Sequence, residues 1–174
     1  LVNEIDEKSL LEVARIIRKE LANDLAKGRM VTASNVRKKS KSYAARNAVD
    51  GDNKTYWATD DGVTNATLTL DFKKNTTFNR VLLREYIALG QRVKAFTVDA
   101  YQNGSWKEVA KATTIGNKRI LRIPSTTASK ICIHITDSKA CPLISTWSVY
   151  NAPVEAQSNN SEKGKLNVTK NWKI

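Results

Sequence analysis

Phe96-Thr97-Val98-Asp99-Ala100-Tyr101-Gln102-Asn103-Gly104-Ser105-Trp106 carries the signals that decide the architecture of this chain. Its alternation puts Phe96, Val98 and Ala100 on one face, the period of a half-buried strand. Asn103-Gly104 follows, and both residues tolerate the positive φ that a two-residue type I′ hairpin turn demands. A hairpin of Val93–Gln102 and Ser105–Ala112 is therefore expected. On either side the same texture recurs. Runs rich in β-branched and aromatic residues stand at Ala66–Phe72, Phe78–Tyr86, Lys118–Ile123, Lys130–Thr136 and Ile144–Tyr150, with polar turns between them. Short strands at this spacing predict an all-β antiparallel sandwich.

The first part of the chain reads differently. Between Asp6 and Ala26 the apolar residues Leu10, Val13, Ala14, Ile17 and Leu21 recur three and four positions apart, which predicts one amphipathic helix. Ser9 and Glu12 have the spacing of a capping box, and Lys27-Gly28 offers a stop. The organisation expected is a linker helix over residues 1–28, a β-sandwich over 29–152 and a polar segment over 153–174. In that last segment Leu166-Asn167-Val168 and Trp172 hint at a further strand. The chain opens on Leu1, not Met, and it is expected to be a fragment from which an export signal or a whole preceding domain is missing.

Composition bounds the chemistry. The 174 residues carry a formal net charge of +12, a field that favours anionic partners such as sulfated glycans, acidic surfaces or nucleic acid. Basic residues cluster at Arg37, Lys38, Lys39, Lys41 and Arg46, but Tyr43 is the single aromatic among them and no groove-reading helix accompanies them, which argues against nucleic acid. No apolar run is long enough to span a bilayer. Cys132 and Cys141 flank a short segment and can either bridge or remain free thiols.

A catalytic inventory comes up short. His134 is the only histidine, and in Ile131-Cys132-Ile133-His134-Ile135 it shares a strand face with Cys132, where no third group orients the pair as a nucleophile and base. Asp50/Asp52 and Asp60-Asp61 are neighbours in loops, not carboxylates facing each other across a pocket. Two constellations remain. In Asp50-Gly51-Asp52-Asn53-Lys54-Thr55, short oxygen ligands surround a glycine, so Asp50, Asp52 and Thr55 can hold calcium, or the loop can close upon itself as an Asx turn. Trp57, two residues on, suits an anchor into the core. The second is Arg84-Glu85-Tyr86 followed by Gln91-Arg92. Glu85 and Arg92 are placed to form a bidentate pair, while Tyr86 or Trp57 can offer a ring to a pyranose and Gln91 and Arg92 planar donors to its hydroxyls.

Asp50-Gly51-Asp52 with Thr55 and Trp57, the strand Leu68-Thr69-Leu70-Asp71-Phe72, Tyr101 and Trp106 about the Asn103-Gly104 turn, and Ile144 to Tyr150 together resemble a discoidin domain, the C-type domain of coagulation factors V and VIII. The resemblance runs from about Leu25 to Asn151 and implies a galactose-binding-like jelly roll. Phe78 to Val93 and Thr114-Ile115-Gly116-Asn117-Lys118-Arg119 look more narrowly like the discoidin-type domain behind the catalytic barrel of α-L-fucosidases. This resemblance implies a non-catalytic carbohydrate-binding module of a secreted or periplasmic enzyme, with fucose- or galactose-containing glycans and an N-terminal catalytic domain as partners. The residues it points to are Trp57, Glu85, Tyr86, Gln91, Arg92 and Arg119, with calcium as the one cofactor in view. A domain that braces the barrel without a ligand, and an electrostatic binder of acidic polysaccharide or nucleic acid, are the alternatives. Two departures bear on this: Thr146 stands where many sugar-binding relatives place a calcium-holding Glu, and His134 does not meet the His-then-Arg pattern of fucose-binding lectins on this fold.

Overall fold

The computed structural model describes residues 4–153. The predicted hairpin forms as read: β4 (Val93–Gln102) pairs antiparallel with β5 (Ser105–Ala112). The turn between them has Asn103 at φ 50° and Gly104 at φ 82°, the left-handed geometry that selects this dipeptide. Phe96, Val98 and Ala100 are fully buried. The other strands are β1 (Met30–Ala33), β2 (Trp57–Ala58), β3 (Ala66–Glu85), β6 (Arg119–Ser138) and β7 (Leu143–Tyr150), hydrogen-bonded in the order β2-β7-β3-β6-β4-β5 with β1 also on β3.

Four of the expected strands prove to be two. Ala66–Phe72 and Phe78–Tyr86 fuse into the 20-residue β3, and Lys118–Ile123 with Lys130–Thr136 fuse into the 20-residue β6. The polar stretches between them do not reverse the chain. They bend it: the β3–β6 register shifts between Asp71 and Thr76, Lys73 takes φ 66°, and Asp71 Oδ1 accepts the Lys73 N–H at 2.7 Å. Bulges of this kind let one strand turn a corner and serve two sheets. The first half of β3 lies between β1 and the second half of β6, and its second half lies between β7 and the first half of β6. The two layers so formed enclose Trp57, Leu68, Leu70, Phe72, Phe78, Leu83, Phe96, Ile131, Ile133, Ile144 and Trp147, all essentially without solvent exposure. This is a discoidin-like β-sandwich.

The helix α1 spans Glu4–Glu20, and Ser9 falls inside it, so the Ser9/Glu12 pair does not cap its start. Arg15 reaches Glu12 at 2.9 Å one turn back, and Arg18 and Lys19 in the last turn suit the negative end of the helix dipole. Leu10, Leu11, Val13 and Ile17 are exposed. The helix stops well short of Gly28 because the following residues are claimed by the sandwich. Leu25 N–H donates to the Val149 carbonyl at 2.8 Å, and Asp24 Oδ1 accepts from the Ala26 and Val149 amides at 2.9 and 3.1 Å. Chain contacts accordingly divide the molecule into a β unit, Asn23–Asn151, and a second unit that contains α1. The expected late strand around Leu166–Trp172 lies outside the described residues. None of the described helices is long and apolar enough to cross a membrane.

Candidate functional site

The connections β3–β4, β5–β6 and β6–β7 meet around Glu85 and Arg92, and the loops on either side of β2 join them through Arg37. Between β1 and β2 the chain makes three short 3-10 turns, Arg37–Lys39, Lys41–Tyr43 and Ala45–Ala48, and a fourth, Ile87–Leu89, sits between β3 and β4. None of these turns is evident in the sequence, since single turns leave no periodicity. Asn35 locks the first loop to the stretch after β2: its Oδ1 accepts the Asp60 N–H at 2.8 Å and its Nδ2 donates to Asp60 Oδ2 at 3.1 Å. The Lys38 backbone N–H donates to Asp60 Oδ1 at 2.7 Å, and this bond above all, with the Asn35 amide, holds the Asp60 carboxyl below its ordinary pKa.

Trp57 is an anchor and not a platform. It is wholly buried, and its indole N–H donates to the Asn35 carbonyl at 2.9 Å. The expected contact with a sugar ring is excluded by that burial, while the expected role of pinning the loop is met. Glu85 also departs from expectation. It is 3% exposed and forms no pair with the Arg92 guanidinium. Its Oε1 accepts the backbone N–H groups of Arg92 and Val93 at 2.7 and 2.9 Å, and its Oε2 accepts that of Gly116 at 2.7 Å. One carboxylate thus ties the β3–β4 loop to the loop before β6.

Arg92 turns the other way. Its Nη1 donates to the Cys141 carbonyl at 3.0 Å and lies 2.9 Å from the Cys141 sulfur, while its Nη2 reaches the Leu89 carbonyl at 3.3 Å. Arg37 approaches the same sulfur, its Nη2 at 2.8 Å, bonds the Thr59 carbonyl through Nε at 3.1 Å and pairs with Asp61. Both cysteines are free and buried. Burial pushes the Cys132 thiol above its usual pKa, and His134 on the same strand face lies against the Asn65 side chain at 3.2 Å.

Three tyrosines stand beside this pair of arginines. Tyr56 stacks on Tyr86 with ring centroids 4.4 Å apart and tilts against Tyr43 at 5.5 Å, and the Arg37 guanidinium lies over Tyr43. Burial, chiefly, raises the Tyr56 phenol and keeps it neutral. Next to Tyr86 opens a cavity of about 290 Å³ lined by Asn53, Arg84, Tyr86, Ile87, Asn117 and Ser145, with Glu85 and Ala88. It combines an aromatic edge, planar amides and a guanidinium. Of the residues expected at a site, Tyr86 and Glu85 reach this cavity. Gln91 is exposed and rests against Gly116, its Oε1 3.5 Å from where a Cβ there would stand. Arg119 opens β6 opposite Leu83 and lines no part of the cavity. Asn53, Asn117 and Ser145 were missed as a group. They belong to separate loops and a separate strand, and only the register that sets Glu85 against Ile144 brings them to one place.

The Asp50–Thr55 loop lies alongside. Asp50 Oδ1 accepts the Asp52 N–H at 2.8 Å, Asp50 Oδ2 accepts the Thr55 hydroxyl at 2.6 Å, and Asp52 Oδ1 accepts the Lys54 N–H at 2.9 Å. Gly51 has φ 84°, and Lys27 Cε lies 3.2 Å from where its Cβ would be. The positive φ calls for glycine there, whereas the flexible Lys27 end can move aside. Thr146 donates its hydroxyl to Asn53 Oδ1 at 2.8 Å, which ties the loop to β7.

A jelly-roll sandwich with loops gathered about a small polar and aromatic cavity defines the class of domain. The chain belongs to the F5/8 type C, or discoidin, domain family, which matches residues 30–148. It is 31% identical over 167 residues to α-L-fucosidase 1 of Arabidopsis thaliana, an alignment that takes in 94% of this chain and 33% of the plant protein. The crystal structure of a putative α-L-fucosidase from Bacteroides thetaiotaomicron matches with a TM-score of 0.81 at 28% identity, over 88% of this chain and 34% of that one. A chitosan-binding module from a chitosanase/glucanase of Paenibacillus sp. IK-5 shares the fold, with a TM-score of 0.66 at 24% identity, over 74% of this chain and 99% of the module. The chain spans about a third of the length of the fucosidases it matches.

Proposed function

We propose that this chain is the carbohydrate-binding module of a secreted or periplasmic α-L-fucosidase, non-catalytic itself, and that it recognises fucose- or galactose-containing glycans through the loops at one end of the sandwich. Hydrolysis is assigned to a catalytic domain of the same polypeptide. The observation that carries the reading is the 290 Å³ cavity beside Tyr86. Its volume suits one or two sugar rings, with Ile87 and Tyr86 as apolar surface and Asn53, Asn117 and Arg84 as donors for vicinal hydroxyls. Trp57, Glu85 and Arg92 serve this site by holding its walls. On a glycan array the chain is expected to retain fucosylated or galactosylated glycans, and Tyr86→Ala or Asn117→Ala to weaken retention at least about tenfold, the loss of roughly 1.4 kcal/mol of contact. A blank array with folded protein would remove the proposal. It would favour instead a domain that braces the catalytic barrel, for which the exposed Leu10, Val13 and Ile17 of α1 offer an apolar stripe.

We infer further that the Asp50–Thr55 loop closes on itself. Calcium seeks six to eight oxygens, whereas three carboxylate oxygens of this loop already accept hydrogen bonds from within it. Lys27 contributes a cationic side chain, its Nζ 3.5 Å from the Cβ position of Gly51. The residues as arranged do not fit a calcium shell. Thermal melts in EDTA and in millimolar calcium are expected to coincide, while Asp50→Ala lowers Tm by a few degrees in both. A Tm that rises with calcium would reverse this inference.

A further inference from the structure

A second concavity, of about 460 Å³, lies between the first loop and the segment after β2, with Ser34, Asn35, Lys39, Ser40, Lys41 and Asp60 among its lining residues. It shares no residue with the cavity beside Tyr86. We propose that it binds the anionic substituent, a carboxylate or a sulfate ester, of an acidic polysaccharide.

Four observations converge on that chemistry. Lys39 and Lys41 are exposed and enter no ion pair among the described residues, so their charge is available. Ser34 Oγ accepts the Thr67 N–H at 2.9 Å and Ser40 Oγ accepts the Ser42 N–H at 3.2 Å. Each hydroxyl thus engages its oxygen with a backbone donor and keeps its own hydrogen to offer to an acceptor. The carboxylate in the lining is already engaged. Asp60 takes the Lys38 amide on one oxygen and the Asn35 side-chain amide on the other, and the Arg37 guanidinium adds a compensating charge. The last observation is backbone strain: Lys38 and Lys39 hold φ of 51° and 52°, a left-handed conformation that is unfavourable for a residue with a Cβ and that glycine would adopt freely. Strained residues kept in place by surrounding bonds mark ligand clamps. Here the Lys38–Asp60 bond and the Lys39 N–H to the Val36 carbonyl at 2.9 Å supply that support.

The strain separates stability from binding and so provides the test. The 174-residue chain is titrated calorimetrically with sulfated, uronate-only and uncharged oligosaccharides of equal length, at low and high salt. The acidic oligosaccharides are expected to bind at least tenfold more tightly than the uncharged ones, and the sulfated and uronate arms tell which substituent is preferred. Lys39→Gly is expected to raise Tm while lowering acidic affinity several-fold. Combined with Lys41→Ala it should erase the acidic preference and reduce the slope of log K against log salt by about one per lysine. Lys107→Ala/Lys111→Ala on β5 should leave that preference intact. Three results would each overturn the proposal: equal affinity for charged and uncharged ligands, an equal loss from the β5 pair, or single-stranded DNA bound as tightly as the acidic oligosaccharide with the same dependence on Lys39 and Lys41.

Discussion

Glu85→Ala is expected to destabilise the domain by about 4 kcal/mol, because three backbone donors, one buried and two part-buried, lose one charged acceptor together, and hydrogen bonds to charged groups contribute a net of about 1.5–3 kcal/mol each, less where water can reach the freed donor. The donors are the amides of Arg92, Val93 and Gly116, at 2.7 to 2.9 Å from the carboxylate. Glu85→Gln keeps an acceptor for two of the three and sets an amide N–H against the third, so a loss of about 2 kcal/mol is expected. Urea denaturation checks both, with midpoints that fall while the slope holds. A Glu85→Ala variant as stable as the parent would show that water satisfies these donors. A surface ion pair with Arg92 would give at most about 1 kcal/mol, so the size of the effect also discriminates between the two readings of this residue.

Trp57→Ala should remove most of the domain's stability, about 5 kcal/mol: some 3–5 kcal/mol for emptying a Trp-sized site, and more for the Asn35 carbonyl left without its indole donor. Domains of this size are stable by about 5–15 kcal/mol, so the variant is expected to be marginal or unfolded at room temperature by circular dichroism. Trp57→Phe, which refills much of the volume and drops only the N–H, should lose about 2 kcal/mol. The consequence for function is direct. Loss of glycan binding in Trp57→Ala would report unfolding and not a missing sugar contact, and a Trp57→Ala protein that melts like the parent would place the indole at the surface after all.

Local signals carried as far as local physics reaches. The β4–β5 hairpin was legible because its turn dipeptide and its alternation both lie within a dozen residues. The bends in β3 and β6 were not. Lys73-Lys74-Asn75 and Pro124-Ser125 have the composition of chain reversals, and only pairing with the partner strand tells a corner from a turn. Gly28 has the positive φ, 69°, that its reading as a helix stop implies, yet α1 ends before it, at Glu20, because Leu25 pairs with Val149 far along the chain. The same limit governs the site. Tyr86 could be read as a candidate from its neighbours. Glu85 could be read only as a charge in search of a charge, since convergence of main-chain amides from three positions leaves no mark on side-chain identity. Asn53, Asn117 and Ser145 meet through register alone.

The two ribbons that turn the corner leave the sandwich without a seam. Its halves are not separate sheets held by side chains but are joined through continuous backbone at both crossings. Most contacts join residues distant in sequence, and a chain of that kind gathers its nucleus slowly. The loop end therefore rides on a frame with little internal give, and a glycan lodged there would meet a surface already shaped before it arrives.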